Sequence, residues 1–86
     1  MNIVYYRDKC GHCTKAKDLL TEKGIAFTPI KITEIDDWQE IKERLQSENN
    51  VEITTVPQII LEGKYIGGHQ ELIKHFEYEF NTEEDF

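Results

Sequence analysis

The chain has 86 residues, 38% of them apolar, and a formal net charge of −7. A chain of this length buries only about 60% of the surface that it exposes when unfolded, so we expect a single domain spanning residues 1–86. The acidic balance argues against nucleic acid as a partner, which would need a basic stripe, and no apolar run approaches the roughly 18 residues of a membrane-spanning helix.

Two cysteines, Cys10 and Cys13, lie three positions apart. A bridge between them would close a very short loop and remove little entropy from the unfolded chain, so they are poor candidates for a structural staple. A stapled secreted domain would carry more cysteines, and the sequence shows no apolar leader. We therefore expect a cytoplasmic, monomeric protein whose cysteines carry out chemistry.

Charge is unevenly distributed around these cysteines. Residues 1–31 hold six basic and three acidic side chains, a net charge of +3, which leaves −10 for the rest of the chain. Arg7 and Lys9 flank Cys10 directly. Because nearby cations favour a thiolate and attract anionic reactants, the basic third of the chain is the expected location of the chemistry.

Hydrophobic patterning predicts the first three elements. Residues 2–6 are mostly β-branched or aromatic and indicate a buried strand that ends just before the cysteines. A helix follows and ends at Gly24, with apolar or small residues at helical spacing: Cys13, Ala16, Leu19 and Leu20. Residues 25–32 predict a second strand, parallel to the first through a right-handed crossover, and Pro29 favours a position at the sheet edge.

Asp37 and Glu40 resemble a capping box at the start of a second helix, which we expect to end in the polar loop of residues 47–50. Residues 58–62 and 65–66, around a turn at Gly63-Lys64, predict an antiparallel hairpin.

A closing helix is marked by Leu72, Ile73, Phe76 and Phe80, and residues 81–86 are too polar to be held firmly. The order β-α-β-α-β-β-α predicts an α/β fold of the thioredoxin-like type, in which three helices flank a four-stranded mixed sheet.

Three segments resemble the signature segments of glutaredoxins, in order and spacing: Cys10-Gly11-His12-Cys13 after the first strand, Thr55-Val56-Pro57 before the third, and Gly67-Gly68 after the fourth. A C-x-x-C motif alone is weak evidence, but the three segments together in this topology are specific. The short chain is similar to the compact glutaredoxins of bacteria and phages.

The expected chemistry is disulfide exchange, which needs an exposed thiolate. Cys10 at a helix start would be ionised by the unpaired N–H groups and the helix dipole, so it is the candidate nucleophile. Cys13, one turn later, is the candidate resolving cysteine. A zinc site is the alternative, but it needs two more ligands, and the three histidines show no second clustered pair in the sequence. We therefore expect no metal.

Gly11-His12 departs from the Pro-Tyr or Pro-Phe usual in glutaredoxins and resembles the dipeptide of protein disulfide isomerases. The polar imidazole of His12 beside Cys10 favours the thiolate, which stabilises the reduced form and makes the disulfide a stronger oxidant. We therefore count His12 among the candidate catalytic residues.

The resemblance implies glutathione as the reducing co-substrate, in a groove formed by Arg7, His12, Thr55, Val56, Pro57, Gly67, Gly68, His69, Gln70 and Glu71. Pro57 is expected to be cis, and the Val56 backbone to hold the cysteinyl part of glutathione. The glycine pair and the following helix start suit the γ-glutamyl carboxylate, and Glu71 is the obvious carboxylate for the ligand's ammonium group.

The sequence thus predicts a glutathione-dependent thiol–disulfide oxidoreductase that uses a dithiol mechanism on disulfide-containing proteins and small disulfides. Family resemblance makes ribonucleotide reductase a plausible client. Two alternatives stay open: a thioredoxin-like or isomerase-like oxidoreductase that does not depend on glutathione, and a thioredoxin-fold module that only binds a partner or a metal.

Overall fold

The computed structural model describes the backbone of residues 1–84 and the side chains of residues 1–77. Within that part of the chain, the order of elements is the predicted one, with a short 3-10 turn added after the second strand. The elements are β1 (Ile3–Tyr6), α1 (Gly11–Glu22), β2 (Thr28–Lys31), the 3-10 turn (Ile32–Glu34), α2 (Trp38–Asn49), β3 (Gln58–Leu61), β4 (Lys64–Gly67) and α3 (His69–Glu84).

The strands form one mixed sheet in the order β2-β1-β3-β4. β1 and β2 are parallel, as the crossover through α1 predicts, and the other two pairings are antiparallel. Pro29 lies in β2 at the sheet edge, where its missing N–H leaves no ladder partner unsatisfied. No helix within residues 1–84 is long and apolar enough to cross a bilayer.

Both faces of the sheet are covered, because β1 alternates its side chains between two cores. On one face Val4 packs with Ala16 and Leu20 of α1 and with Leu72 of α3. On the other face the core contains Ile3, Tyr5, Leu45 of α2 and Ile53. Complete burial of a residue such as Leu20 stabilises the fold by about 1.5–3 kcal/mol. The two cores therefore hold the three helices against the sheet.

The helix ends agree with the sequence in one case and differ in another. Gly24 follows α1 with φ of 74°, the left-handed conformation predicted for it. The capping box predicted for α2 is wrong, because the backbone of Asp37 is not extended and its side chain makes no capping bond. α2 also runs further than expected, through Asn49, and ends at Asn50 with φ of 53°. Asparagine tolerates that conformation, so the polar stretch forms a last turn and not a loop.

The hairpin turn is Glu62-Gly63, one residue earlier than predicted. Both residues have positive φ, 51° and 80°, as a two-residue type I′ turn requires, and Lys64 already belongs to β4. α3 extends as helical backbone to Glu84, beyond the predicted Phe80. For the tail predicted to be loosely held, the side chains of residues 81–86 and the backbone of residues 85–86 lie outside the described residues.

The pairing register gathers three loops at one end of the sheet. Tyr5 near the end of β1 pairs with Gln58 at the start of β3, so the loop that leads to Cys10 lies beside Pro57. Ile59 in turn pairs with Gly67 at the end of β4. The three segments that the sequence singled out therefore meet at one edge of the molecule.

Candidate active site

Cys10 is the N-cap residue of α1. Its backbone is extended, with φ of −119° and ψ of 104°, and its Sγ accepts a hydrogen bond from the Cys13 N–H at 3.1 Å. A sulfur atom thus occupies the position that a serine or aspartate oxygen usually takes at a helix start. Because the first N–H groups of a helix lack backbone acceptors and carry partial positive charge, this geometry stabilises a negatively charged sulfur.

The two cysteines form a disulfide and differ sharply in exposure. Cys10 is half-buried and reaches the surface, whereas the Cys13 side chain is only 1% exposed and belongs to the core. An outside reactant can therefore approach Cys10 and not Cys13. This is the asymmetry that an attacking and a resolving cysteine need.

Charges around Cys10 are arranged to favour the anion. Asp8, in the loop before Cys10, is paired with Lys31 of β2 at 3.1 Å, and Lys31 also pairs with Glu34 at 2.9 Å. Hydrogen bonds to Glu34 and then to Asp8 raise the pKa of Lys31, so the pairing persists at neutral pH. Lys31 thereby offsets part of the negative charge of Asp8, the acidic neighbour of Cys10 in this loop.

The segment Thr55-Val56-Pro57 forms a ledge opposite Cys10. The Val56–Pro57 peptide bond is cis, as predicted. The Val56 carbonyl oxygen lies 3.6 Å from Cys10 Sγ. Exposed backbone at this distance from the reactive sulfur can pair with an extended peptide.

Gln58, which sequence reasoning missed, holds the ledge in place. Among the side chains that the structure describes, Gln58 is the polar one that is buried, with 4% of its surface exposed. Its Nε2 donates to the Thr55 carbonyl oxygen at 2.9 Å, and its Oε1 accepts from the Tyr65 hydroxyl at 2.5 Å. A glutamine at a core-facing strand position directly after proline is the signal that would have identified it, since buried amides are normally fully hydrogen-bonded.

A groove of about 500 Å³ runs between α1, the ledge and the start of α3. It is lined by Arg7, Lys9, Cys10, Gly11, His12, Thr54, Thr55, Val56, Pro57, Gly68, His69, Gln70 and Glu71. Every predicted site residue lies on it except Cys13, which is beneath it, and Gly67, which is buried. Lys9 and Gly11, which the sequence singled out beside Cys10, also line it, and Thr54 is an addition that the sequence did not suggest.

A smaller cavity of about 100 Å³ continues from the groove on the side of α2. Arg7, Thr54, Thr55 and Val56 line both cavities, and Ile32, Trp38, Lys42 and Ile53 complete the smaller one. Trp38 packs on Tyr5 with ring centroids 5.3 Å apart, so it belongs to the packing around the core and also lines this cavity. We call this smaller cavity the basic shelf, because Arg7 and Lys42 both line it. Lys42 was missed because its role depends on how α2 packs.

The start of α3 is occupied by a side chain of its own. Glu71 Oε1 accepts from the Gly68 N–H at 2.9 Å, and the first helical bond, from Leu72 N to the Gly68 carbonyl oxygen, follows at 3.0 Å. The sequence led us to expect a Glu71 carboxylate directed at a ligand's ammonium group. In the structure that carboxylate is already bonded to the backbone that was predicted to meet a ligand carboxylate.

His12 and His69 face each other across the groove, with ring centroids 5.7 Å apart. Sequence spacing gave no sign of this pair. His69 Nδ1 is buried without a hydrogen-bond partner. Burial lowers the pKa of His69, and the charges of His12 and Lys15 lower it further. Even so, within the described residues no cluster of three or more His, Cys, Asp or Glu side chains could hold a metal ion.

The model of the glutaredoxin family matches residues 2–66 of this chain. The chain belongs to the glutaredoxin family. It is 35% identical to glutaredoxin-C1 of Arabidopsis thaliana over 66 residues, which are 77% of this chain and 51% of that protein. It is 33% identical to glutaredoxin 3 of Escherichia coli K12 over 69 residues, 80% of this chain and 77% of that protein. The chain thus spans about half the length of the Arabidopsis glutaredoxin.

The crystal structure of a buckwheat glutaredoxin–glutathione complex has the same fold. Its TM-score with this chain is 0.75 at 24% identity, over 91% of this chain and 69% of that one. The predicted thioredoxin-like architecture is therefore confirmed. The glutaredoxin fold places a sulfur that helix N–H groups stabilise beside an exposed backbone ledge, and this arrangement is suited to exchanging one disulfide for another.

Proposed function

We propose that this glutaredoxin is a glutathione-dependent thiol–disulfide oxidoreductase that works by a dithiol mechanism. The observation that carries the proposal is the pairing of an accessible Cys10 sulfur, hydrogen-bonded to the Cys13 N–H at 3.1 Å, with a Cys13 side chain that is 1% exposed. An external disulfide can therefore reach the Cys10 sulfur and cannot reach the Cys13 sulfur.

The reductive half begins with the Cys10 thiolate attacking one sulfur of a client disulfide. A Cys10–client disulfide forms, and the other client sulfur leaves as a thiolate that takes up a proton. Cys13 then loses its proton and attacks Cys10 Sγ, which releases the client in its reduced form. The product is the Cys10–Cys13 disulfide, the state in which the structure shows the protein.

Two glutathione molecules restore the dithiol. The first, as its thiolate, attacks Cys10 Sγ, releases Cys13 and leaves a Cys10–glutathione disulfide. The second attacks the glutathione sulfur, releases Cys10 and forms glutathione disulfide. The proposed role of His12 is to favour the Cys10 thiolate as leaving group, because its polar imidazole lies in the first turn of α1.

Glutathione would lie along the groove. Its cysteinyl backbone would pair with Val56 on the ledge, near Cys10. The glycyl carboxylate would lie toward Arg7 and Lys42 of the basic shelf, and the γ-glutamyl group toward Gly68 and α3. The glutathione seen with the buckwheat glutaredoxin supports the choice of ligand.

Proteins with accessible disulfides are the proposed clients, and ribonucleotide reductase is one by family resemblance. We place the protein in the cytoplasm as a monomer. The cytoplasmic location and the monomeric state are proposed from the composition and the cysteine pattern alone.

The decisive experiment compares electron sources. We expect reduction of a glutathionylated peptide to proceed with glutathione and glutathione reductase, to fail with thioredoxin reductase alone, and to vanish in Cys10→Ser. Arg7→Gln and Lys42→Gln, made singly and then together, should each raise the half-saturating glutathione concentration, and the double variant should raise it about tenfold, equivalent to about 1.4 kcal/mol. Lys74→Gln, an equal charge change at an exposed position of α3, is the control for each single substitution. Turnover with thioredoxin reductase only would refute glutathione dependence.

A further inference from the structure

Helix geometry alone does not keep the His12 ring beside Cys10. His12 comes two residues after Cys10 and is exposed, yet both residues line the groove. Side chains two positions apart in a helix point to different sides, whereas those three or four apart are neighbours. An exposed side chain also keeps more rotamer freedom when it turns toward solvent. The place of the His12 ring in the groove therefore depends on a contact from another element.

That contact comes from His69, the first residue of α3. The two ring centroids are 5.7 Å apart and the ring planes are inclined by 42°, a favourable arrangement for an aromatic pair. His69 is half-buried, and Leu72, one turn later in α3, is completely buried in the core. The exposed ring of His12 thus packs against a ring that α3 holds in place.

The chemical state of His69 suits a role in packing. Its Nδ1 is buried and has no hydrogen-bond partner, so a doubly protonated ring would place a charged donor there without an acceptor. Burial also lowers the pKa of His69, and the charges of His12 and Lys15 lower it further. His69 is therefore neutral at neutral pH and does not repel a proton on His12.

We infer that His69 is a positioning residue that holds the His12 imidazole beside Cys10 by ring contact. This inference rests on the role proposed for His12 and deepens it. A held imidazole keeps its polar effect on the Cys10 sulfur, because electrostatic interactions weaken with distance. The contact uses only the side chain of His69, so the backbone N–H groups at the start of α3 stay available to a ligand carboxylate.

The test compares how readily glutathione reduces the Cys10–Cys13 disulfide in single and double variants. His12→Tyr should lower the equilibrium constant for this reduction about tenfold, and His69→Ala should lower it about threefold, because the His12 ring is then free to turn away. The double variant should show the tenfold decrease of His12→Tyr alone and not the product of two independent effects, about thirtyfold. Equilibration in glutathione redox buffers measures all four proteins.

Two further variants make the result specific. His69→Phe keeps an aromatic ring without the buried nitrogen and should have the wild-type equilibrium constant. His75→Ala replaces a histidine of α3 that lines a separate cavity and should also leave the constant unchanged. Thermal melting of each variant shows that it is folded. A defect that destabilises the oxidised and reduced proteins equally does not change the constant, so a shift reports on the Cys10 thiolate.

The other results overturn the inference. An unchanged or higher constant in His69→Ala, or a decrease of about thirtyfold in the double variant, would mean that the two histidines act independently. A shift in His69→Phe as large as that in His69→Ala would assign the effect to the imidazole nitrogens and not to the ring contact. If His12→Tyr leaves the constant unchanged, the inference fails together with the proposed role of His12, whereas glutathione dependence is decided separately by the comparison of reductases.

Discussion

Two helices begin at the groove, and different atoms satisfy their first N–H groups. At the start of α1 the acceptor is the Cys10 sulfur, 3.1 Å from the Cys13 nitrogen. At the start of α3 it is the Glu71 carboxylate, 2.9 Å from the Gly68 nitrogen. The first turn of α1 contains no acidic residue, whereas that of α3 contains Glu71.

The start of α1 therefore affects the reactivity of a sulfur, whereas the start of α3 affects the position of a side chain. A thiol is mostly protonated at neutral pH, so an N–H group that stabilises its anion changes how much nucleophile is present. A carboxylate is already ionised at that pH, so the same contact changes only where the side chain lies. The glycines follow this division. Space is open around Gly11 of α1, whereas Glu71 crowds Gly67 and Gly68.

Replacing Gly67 or Gly11 by alanine should give the largest difference between the two helix starts. Gly67 has φ of 114°, and a Cβ there would lie 3.0 Å from Glu71 Cγ. We expect Gly67→Ala to lower the free energy of unfolding by about 1–3 kcal/mol, because the backbone conformation and the contact are both unfavourable for alanine. Gly11→Ala meets nothing within 4 Å and should leave it unchanged or raise it by up to about 1 kcal/mol. Urea denaturation of the oxidised proteins measures both, and equal effects at the two positions would contradict the comparison.

Replacing His12 of α1 by tyrosine tests whether the start of α1 stabilises the Cys10 thiolate. His12→Tyr removes the polar imidazole from the first turn of α1, which should reduce the preference for the Cys10 thiolate and destabilise the reduced form. We expect the reduction potential to become more negative by about 30 mV, a tenfold change in the exchange constant. Equilibration with glutathione redox buffers gives the potential. His75→Tyr, which alters a residue lining a separate cavity, is the control, and an unchanged or less negative potential in His12→Tyr would disprove the role of the imidazole.

The α3 histidine should give the smallest effect. Burial lowers the pKa of His69 in the folded protein, with His12 and Lys15 of α1 adding to it. The unfolded chain therefore binds more protons once the pH falls below the ordinary histidine value of about 6.5, and this contribution to stability is lost as the pH drops through that range. His69→Gln lacks it.

The melting temperatures of the wild type and His69→Gln, compared from pH 8 to pH 5, measure this term. Relative to His69→Gln, the wild type should lose stability as the pH falls. A constant difference across that range would show that His69 titrates alike in the folded and unfolded chains.

Local rules predicted those parts of the fold that local residues determine. β1, the Gly24 turn and the edge position of Pro29 follow from patterning within a few residues, and the glutaredoxin resemblance indicated the cis Pro57. The capping box at Asp37 failed because composition does not specify the backbone angles that aim a side chain. Whether the chain is one domain stays a prediction.

The site was harder to predict where it depends on packing between elements. The His12–His69 pair and the Arg7–Lys42 shelf each join residues that are far apart in sequence. Lys42 lines the smaller cavity because α2 packs on the sheet, with Leu45 in the core. Glu71 lies close in sequence to its partner Gly68, yet ligand binding and capping use the same residue types. Only the observed hydrogen bond distinguishes them.

The hydrogen bonds of Gln58 have a consequence for how the protein opens. This amide connects the Thr55 carbonyl oxygen with the Tyr65 hydroxyl, and so ties the ledge to β4 through a buried link. If β4 moved away while Gln58 stayed buried in β3, the Gln58 Oε1 would lose its hydrogen-bond donor, which makes independent fraying of β4 costly. We therefore expect the ledge and the hairpin to form one cooperative unit, whose amide protons exchange with solvent together.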